Sequence, residues 1–458
     1  MKTITSIFFF LAISISLSAQ NIVGQWNGVL EVQGTKLRIV FHISKTESGF
    51  AAVMDSPDQG AKAIPIKEVN FENSVLKLSA PNLGLEYVGT LNADQTIKGD
   101  FKQGGQHFPM ILSRGEEGKP KAARPQTPVE PYPYYVEDVI FTNKTAQIEL
   151  SGTLTLPKAE GTYPTVVLIS GSGPQNRNEE MFGHAPFLVL ADFLTRNGFG
   201  VLRFDDRGVA KSGGNFQTAT TRDFATDVES AVSFLKTRKG VNPKKIGLIG
   251  HSEGGLIAPM VAAKDKSVSF IVLLAGPAVP ISELMLLQKE QVERQMGIAE
   301  TEVMTSREIF KGAYELIKKS LVNDGTLQTS LNTYFKERFG PAVPEKDVQV
   351  IIKQITSPWW YQFIRLDPTE YLKQVKVPIL ALNGELDLQV SAKENLQAIR
   401  LIVEQSGIKK SSVNELPKLN HLFQESKTGA IDEYSQIEQS FSPLALNEIL
   451  NWMKRTVK

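Results

Sequence analysis

Residues 246–260 read Ile246-Gly247-Leu248-Ile249-Gly250-His251-Ser252-Glu253-Gly254-Gly255-Leu256-Ile257-Ala258-Pro259-Met260, and the chemistry they offer centres on Ser252. A serine becomes a useful nucleophile when it sits on a sharp turn with its hydroxyl exposed and within reach of a base. Such a turn needs small residues on both sides, because a side chain at Gly250 or Gly254 would collide with neighbouring backbone. The apolar run 246–249 reads as a buried strand, and an apolar helix begins after Gly254, so Ser252 falls on a strand-turn-helix junction. An isolated Gly-x-Ser-x-Gly is more often a turn of no chemical consequence. The flanking elements select the catalytic reading, with Ser252 as nucleophile.

The elements that must hold this serine begin near Tyr134. Two strands, 136–141 and 146–156, are joined by Thr142-Asn143-Lys144-Thr145, which suits a hairpin at an antiparallel sheet edge. Residues 165–169, 200–204, 246–249, 270–274 and 378–382 are then short continuous apolar runs, the mark of strands buried on both faces of a parallel sheet. Phe224, Val228, Val232 and Leu235 lie along one face at helical spacing. Strands alternating with helices give an open α/β sheet. The alternation fails over 278–371, where helix-like stretches begin near Ser282, Glu300, Leu327 and Lys346 and end at Ser357-Pro358-Trp359-Trp360. A helical insertion of that length between two core strands reads as a cap.

At 458 residues the chain suggests two or three domains. Residues 1–19, with Lys2, a short apolar core and small residues ending at Ala19, read as a signal peptide, and hence as export to a periplasmic or extracellular site. The run is too short and too broken by serines for a spanning helix, and with no cysteine in the chain no lipid anchor or disulfide is available. Residues 20–114 alternate apolar and polar positions, as at Leu37, Ile39, Phe41 and Ile43. Turn signals recur at Gln33-Gly34, Glu47-Ser48-Gly49, Glu72-Asn73-Ser74, Asn92-Ala93-Asp94 and Gln103-Gly104-Gly105, which predicts a sandwich or small barrel. Trp26 reads as a plug at one barrel end rather than a ligand wall. Residues 115–133, rich in Pro, Lys and Glu, read as a linker. The expected organisation is therefore a small all-β domain, the linker, and an α/β core in two parts, 134–277 and 372–458, around the cap.

The stretch from Tyr134 to Lys458 resembles the α/β-hydrolases, and most of all secreted bacterial esterases of the serine aminopeptidase-like (S33-type) group. The resemblance is carried by Gly171-Ser172-Gly173-Pro174, Asp205-Asp206-Arg207-Gly208, Gly250-His251-Ser252-Glu253-Gly254-Gly255, Asn383-Gly384-Glu385-Leu386-Asp387 and Leu419-Asn420-His421. The opening Gly24-Gln25-Trp26-Asn27-Gly28 resembles lipocalin-type barrels over the first domain only. The hydrolase likeness implies a triad in the order Ser, acid, His. His421 is the only histidine after Ser252 and so is the base. Glu385 and Asp387 both qualify as the acid that orients it; the resemblance favours Asp387. The oxyanion would meet backbone N–H groups of Glu253 and Ser172, with Gly173 as the neighbouring candidate. The charges of 205–208 read as carboxylate–arginine pairing that pins a loop, and His184 as a packed or solvated loop residue.

These residues predict a serine hydrolase acting on small-molecule carboxylic esters, with Trp359 and Trp360 at the substrate pocket. One rival is a peptidase or amidase, for which Glu290 and Glu293 could anchor a free amine. Another is a ligand-binding protein with an inert hydrolase domain. A net charge of +1 with interspersed signs points away from nucleic acid. No metal spacing or phosphate loop occurs, so no cofactor is implied. The β-domain would hold a polymer or surface ligand.

Overall fold

The computed structural model describes residues 22–114 and 124–458, apart from 33–34, 48, 60, 93, 104–105 and 341–342. The expected signal peptide and the first part of the expected linker lie outside these residues. Two compact units form, the first holding most of 22–114 and the second 124–458.

The first unit is a nine-stranded antiparallel meander: β1 (Gly24–Val32), β2 (Thr35–Thr46), β3 (Gly49–Ser56), β4 (Ala61–Ile66), β5 (Glu68–Glu72), β6 (Val75–Ala80), β7 (Leu85–Leu91), β8 (Ile97–Gln103) and β9 (Gln106–Arg114). Its order is β4-β3-β2-β1-β9-β8-β7-β6-β5, so the first strand pairs with the last and the curl is open only between β4 and β5. The turn signal Glu72-Asn73-Ser74 falls at the β5–β6 hairpin, while the other four lie wholly or partly outside the described residues. Alternation buries Ile39, Phe41 and Ile43; Leu76, Tyr87, Phe101 and Met110 are buried as well, and the Phe41 ring lies 6.0 Å from that of Tyr87. Trp26 is fully buried, its Nε1 donating to the Ile22 carbonyl at 2.8 Å while the Arg114 guanidinium covers the ring.

The second unit is built on eight strands: β10 (Tyr135–Asn143), β11 (Ile148–Leu156), β12 (Tyr163–Ile169), β13 (Gly200–Phe204), β14 (Val241–His251), β15 (Val268–Leu274), β16 (Ile379–Gly384) and β17 (Ser412–Leu416). They lie in the order β10-β11-β13-β12-β14-β15-β16-β17. The β10–β11 hairpin is antiparallel and β11 meets β13 antiparallel; every later pair is parallel. The runs expected as strands buried on both faces are β12 to β16. β17 was not expected, because an edge strand reading Ser-Val-Asn-Glu-Leu has no continuous apolar run to betray it.

The helices are α1 (Pro186–Arg196), α2 (Thr221–Lys236), α3 (Glu253–Ala262), α4 (Ile281–Gln295), α5 (Glu300–Lys319), α6 (Gly325–Phe339), α7 (Glu345–Ile355), α8 (Pro358–Phe363), α9 (Pro368–Leu372), α10 (Ala392–Ser406), α11 (Ile431–Tyr434) and α12 (Pro443–Thr456). α2 starts in a capping box between Thr220 and Asp223 and buries Val228, Val232 and Leu235. Between β15 and β16 the chain leaves the sheet for α4 to α9. Leu286, Tyr314, Leu331, Phe335 and Ile352 form a separate apolar core there. Among the described residues no helix is long and apolar enough to cross a membrane.

One expectation is corrected. Residues 124–133, read as linker, belong to the second unit. The Arg124 guanidinium donates to the carbonyls of Ile437, Phe182 and Ser435, and Gln126 bonds the backbone of Ser440 and Phe441. A Pro-rich composition says where helix and sheet stop; it does not say whether side chains then find buried carbonyls.

The chain leaves β12 toward β13 on one side, and β14 lies on the other. The strand order therefore reverses at β12, and it is outside the carboxyl ends at such a reversal that open α/β sheets form their sites. Ile169 pairs with Gly250 at that end. The Gly171-Ser172-Gly173 turn and Ser252 emerge side by side from it.

Candidate active site

Ser252 joins β14 to α3 with φ 52° and ψ −117°, a left-handed conformation that a non-glycine residue adopts at a cost. Its amide donates to the Leu274 carbonyl at 2.9 Å and its carbonyl accepts from Gly255 at 2.8 Å, which holds the turn from both sides. A Cβ at Gly250 would run into the Gly254 carbonyl, and one at Gly254 into the Ile169 carbonyl. The spacing of glycine around the serine is thus a packing requirement of the elbow.

His421 lies in the loop after β17, buried. Its Nδ1 stands 2.9 Å from Asp387 Oδ2. Asp387, in the loop after β16, is held by the amides of Gln389 and Val390, both at 2.8 Å, and by Asn383 Nδ2 at 3.0 Å. A carboxylate can only accept, so His421 donates from Nδ1; a neutral ring in that tautomer has its lone pair on Nε2, as a general base requires. Glu385 faces elsewhere, accepting from the Lys418 amide at 2.9 Å.

Glu253 is the first residue of α3, and Ser172 and Gly173 lie in the turn after β12. Gly171 packs against Ser252: a Cβ there would stand 3.2 Å from that of Ser252. Its amide, however, donates to Glu179 Oε1 at 2.7 Å. Asp206 braces the same turn, accepting from Ser170 Oγ at 2.8 Å and the Gln175 amide at 3.0 Å. Burial pushes the Asp206 carboxyl well above the usual carboxylate range, against those two hydrogen bonds. The other charges of the block do pin loops, though not with each other. Asp205 pairs with Arg177 at 2.7 Å and Arg207 with Asp227 at 2.7 Å. His184 is packed, bonded to Ser440 Oγ and the Tyr434 carbonyl.

The two tryptophans of α8 part company. Trp359 packs on the sheet-side core, stacks on Phe363 and donates to the Glu253 carboxylate, while Trp360 packs into the cap core beside Tyr314. Glu290 and Glu293 are both engaged, Glu290 with Arg307 and Arg294, Glu293 with Lys289 and Ser306.

Three groups escaped sequence reasoning: Glu179, the His251 ring and the Glu253 side chain. His251 and Glu253 were in view as elbow residues, yet nothing local showed that their side chains turn inward. Glu179 lies 72 positions from its partner His251.

The fold defines an α/β-hydrolase with a helical insertion between β15 and β16. The serine aminopeptidase, S33, family profile matches residues 185–426, more than half of the chain, and the chain belongs to that family. It is a hydrolase. Among curated proteins it is similar to the esterase EstD of Thermotoga maritima, 28% identical over 324 residues, covering 70% of this chain and 69% of that one. It is also 28% identical over 153 residues to the putative hydrolase YtaP of Bacillus subtilis, a match spanning 30% of this chain and half of that protein. Among solved structures, the Pyrococcus furiosus esterase Pf2001 matches with a TM-score of 0.44 at 18% identity, over 75% of this chain and all of that one. At such a score the fold assignment rests on the strand order and the family match instead.

Proposed function

We propose that the protein cleaves carboxylic esters through an acyl-enzyme on Ser252. Ser252 Oγ attacks the ester carbonyl as its proton passes to His421 Nε2, and collapse of the tetrahedral intermediate expels the alcohol, which carries that proton away. Water, deprotonated by His421, then attacks the acyl-enzyme; the carboxylic acid departs and Ser252 is restored. Asp387 fixes the His421 tautomer and offsets the charge of the imidazolium. The amides of Glu253 and Ser172, with Gly173 as the alternative to Ser172, receive the oxyanion. The engagement of the Gly171 amide by Glu179 supports that choice.

The observation that supports the reading is an Asp387-bound His421 in a chain that also sets Ser252 at a left-handed apex between strand and helix. The His421 carbonyl is itself bonded by the residue adjoining that serine. Trp359 is proposed as a pocket wall. Export, and a polymer or surface ligand for the β-unit, are proposed from the sequence.

The amidase reading draws on the family's name. Against it, Glu290 and Glu293 already hold cations and so offer no free anchor for a substrate amine. A panel of nitrophenyl esters of rising chain length set beside aminoacyl anilides, run on wild type and Ser252→Ala, tests the proposal. Ester turnover that vanishes in the variant supports it; anilides turned over faster than esters, or hydrolysis retained by Ser252→Ala, would refute it.

A further inference from the structure

Glu179 and His251 are among the least exposed ionisable residues of the unit, at 1% and 4%. Burying such groups costs several kcal/mol each unless they are paired and hydrogen-bonded, and here each hydrogen bond reaches a segment of the site. Glu179 Oε1 accepts from the Gly171 amide at 2.7 Å and faces His251 Nδ1 at 2.9 Å. His251 Nε2 lies 2.9 Å from the His421 carbonyl, which can only accept. With an acceptor at each nitrogen the ring donates from both, as an imidazolium does. Glu179 holds this place with φ 52°, a strained backbone for a glutamate.

We infer that Glu179 and His251 act as one positioning unit for hydrolysis, a buried ion pair that ties the oxyanion turn and the loop of the general base to the residue adjoining the nucleophile. The inference rests on the serine-hydrolase reading above.

Asp387 grips the His421 ring but not the backbone that carries it. His251 grips that backbone and is covalently next to Ser252. The path from nucleophile to base is thus one peptide bond and one hydrogen bond long. Glu179 sets the third corner, because the same oxygen that orients His251 also holds Gly171 against Ser252. A displacement of about 1 Å in such a site costs on the order of 10²-fold in rate. Burial alone would lower the His251 pKa; the Glu179 charge and hydrogen bond, the His421 carbonyl and the Asp387 charge outweigh it and raise it.

The test compares full-length wild type, Glu179→Gln, His251→Gln, the double variant and Ser252→Ala on a small soluble nitrophenyl ester. Each single positioning variant should lose about 10- to 100-fold in kcat with KM changed less than about twofold. The double variant should lose little beyond the worse single one, as expected of residues that work as a unit. In wild type labelled with ¹⁵N-histidine, one of the five imidazoles should keep both N–H protons to a higher pH than a free histidine; that signal should vanish in His251→Gln. A Glu179→Gln enzyme that melts earlier yet keeps wild-type kcat would make the pair a structural brace and overturn the inference, as would losses that multiply in the double variant. The wild-type titration decides even where a variant fails to fold, since the absence of such an imidazolium removes the ion pair. Hydrolysis surviving in Ser252→Ala would overturn the serine reading and this inference with it, an outcome separate from the others.

Discussion

The indole Nε1 of Trp359 donates to Oε1 of Glu253 at 2.9 Å, joining α8 to the residue that follows Ser252. The same oxygen accepts from Thr221 Oγ1 at 2.6 Å. Burial pushes the Glu253 carboxyl up to about 7, and these two hydrogen bonds oppose that rise without cancelling it.

A stability profile follows from that carboxyl. The folded state binds its proton more tightly than the unfolded chain, so its contribution is whole below the ordinary glutamate value near 4.3 and is lost as pH rises through about 7. Wild type should therefore lose stability between about pH 5 and pH 8 by on the order of 3 kcal/mol more than Glu253→Gln. Thermal melts of both proteins across that range check it; parallel curves would refute it.

Ser252→Ala and Ser252→Gly should both lose several orders of magnitude in kcat and their fluorophosphonate labelling. They should differ in stability. Glycine relieves the left-handed strain at this position, so Ser252→Gly should melt above Ser252→Ala by the equivalent of about 1 kcal/mol. Equal melting temperatures would mean that the elbow stores no strain.

Asp387→Asn should lower kcat by about 10³- to 10⁴-fold, because the imidazole loses its orienting charge. Glu385→Gln should change it less than about threefold, since its carboxylate accepts from an exposed amide, that of Lys418. Steady-state kinetics of the two variants decide the matter, and a reversed order would reassign the acid.

Trp359→Ala should shift ester preference toward longer acyl chains and detach the cap from Glu253. Trp360→Ala should instead cost about 2 kcal/mol of stability with the chain-length profile unchanged, because its partly buried ring packs against the cap core. The chain-length series and melts on both variants separate the two roles.

Removing residues up to 120 should leave a soluble hydrolase active on small esters, whereas removal up to 131 should lower its melting temperature by stripping away Arg124 and Gln126. Comparing the two truncations by melting and kcat/KM checks this. Identical melts would mean those bonds add nothing.

Several features needed no structure. Glycines at 250 and 254 announce the elbow because any Cβ there strikes backbone, a constraint that holds wherever the strand and helix lie. The apolar runs of β12 to β16 announce a sheet covered on both faces, and Glu72-Asn73-Ser74 marks a hairpin of the β-unit. Each of these is a local rule, set by sterics or by burial along a few consecutive residues.

Only the tertiary structure could decide the rest. Asp387 and Glu385 are two residues apart and chemically alike; the loop after β16 turns one toward His421 and the other toward Lys418. Trp359 and Trp360 are adjacent, yet a helix of six residues points them into different cores. Glu179 meets His251 across 72 positions, and His251 meets His421 across 170. Side-chain direction and long-range pairing depend on how elements pack, which composition and spacing along the chain do not encode in any single stretch.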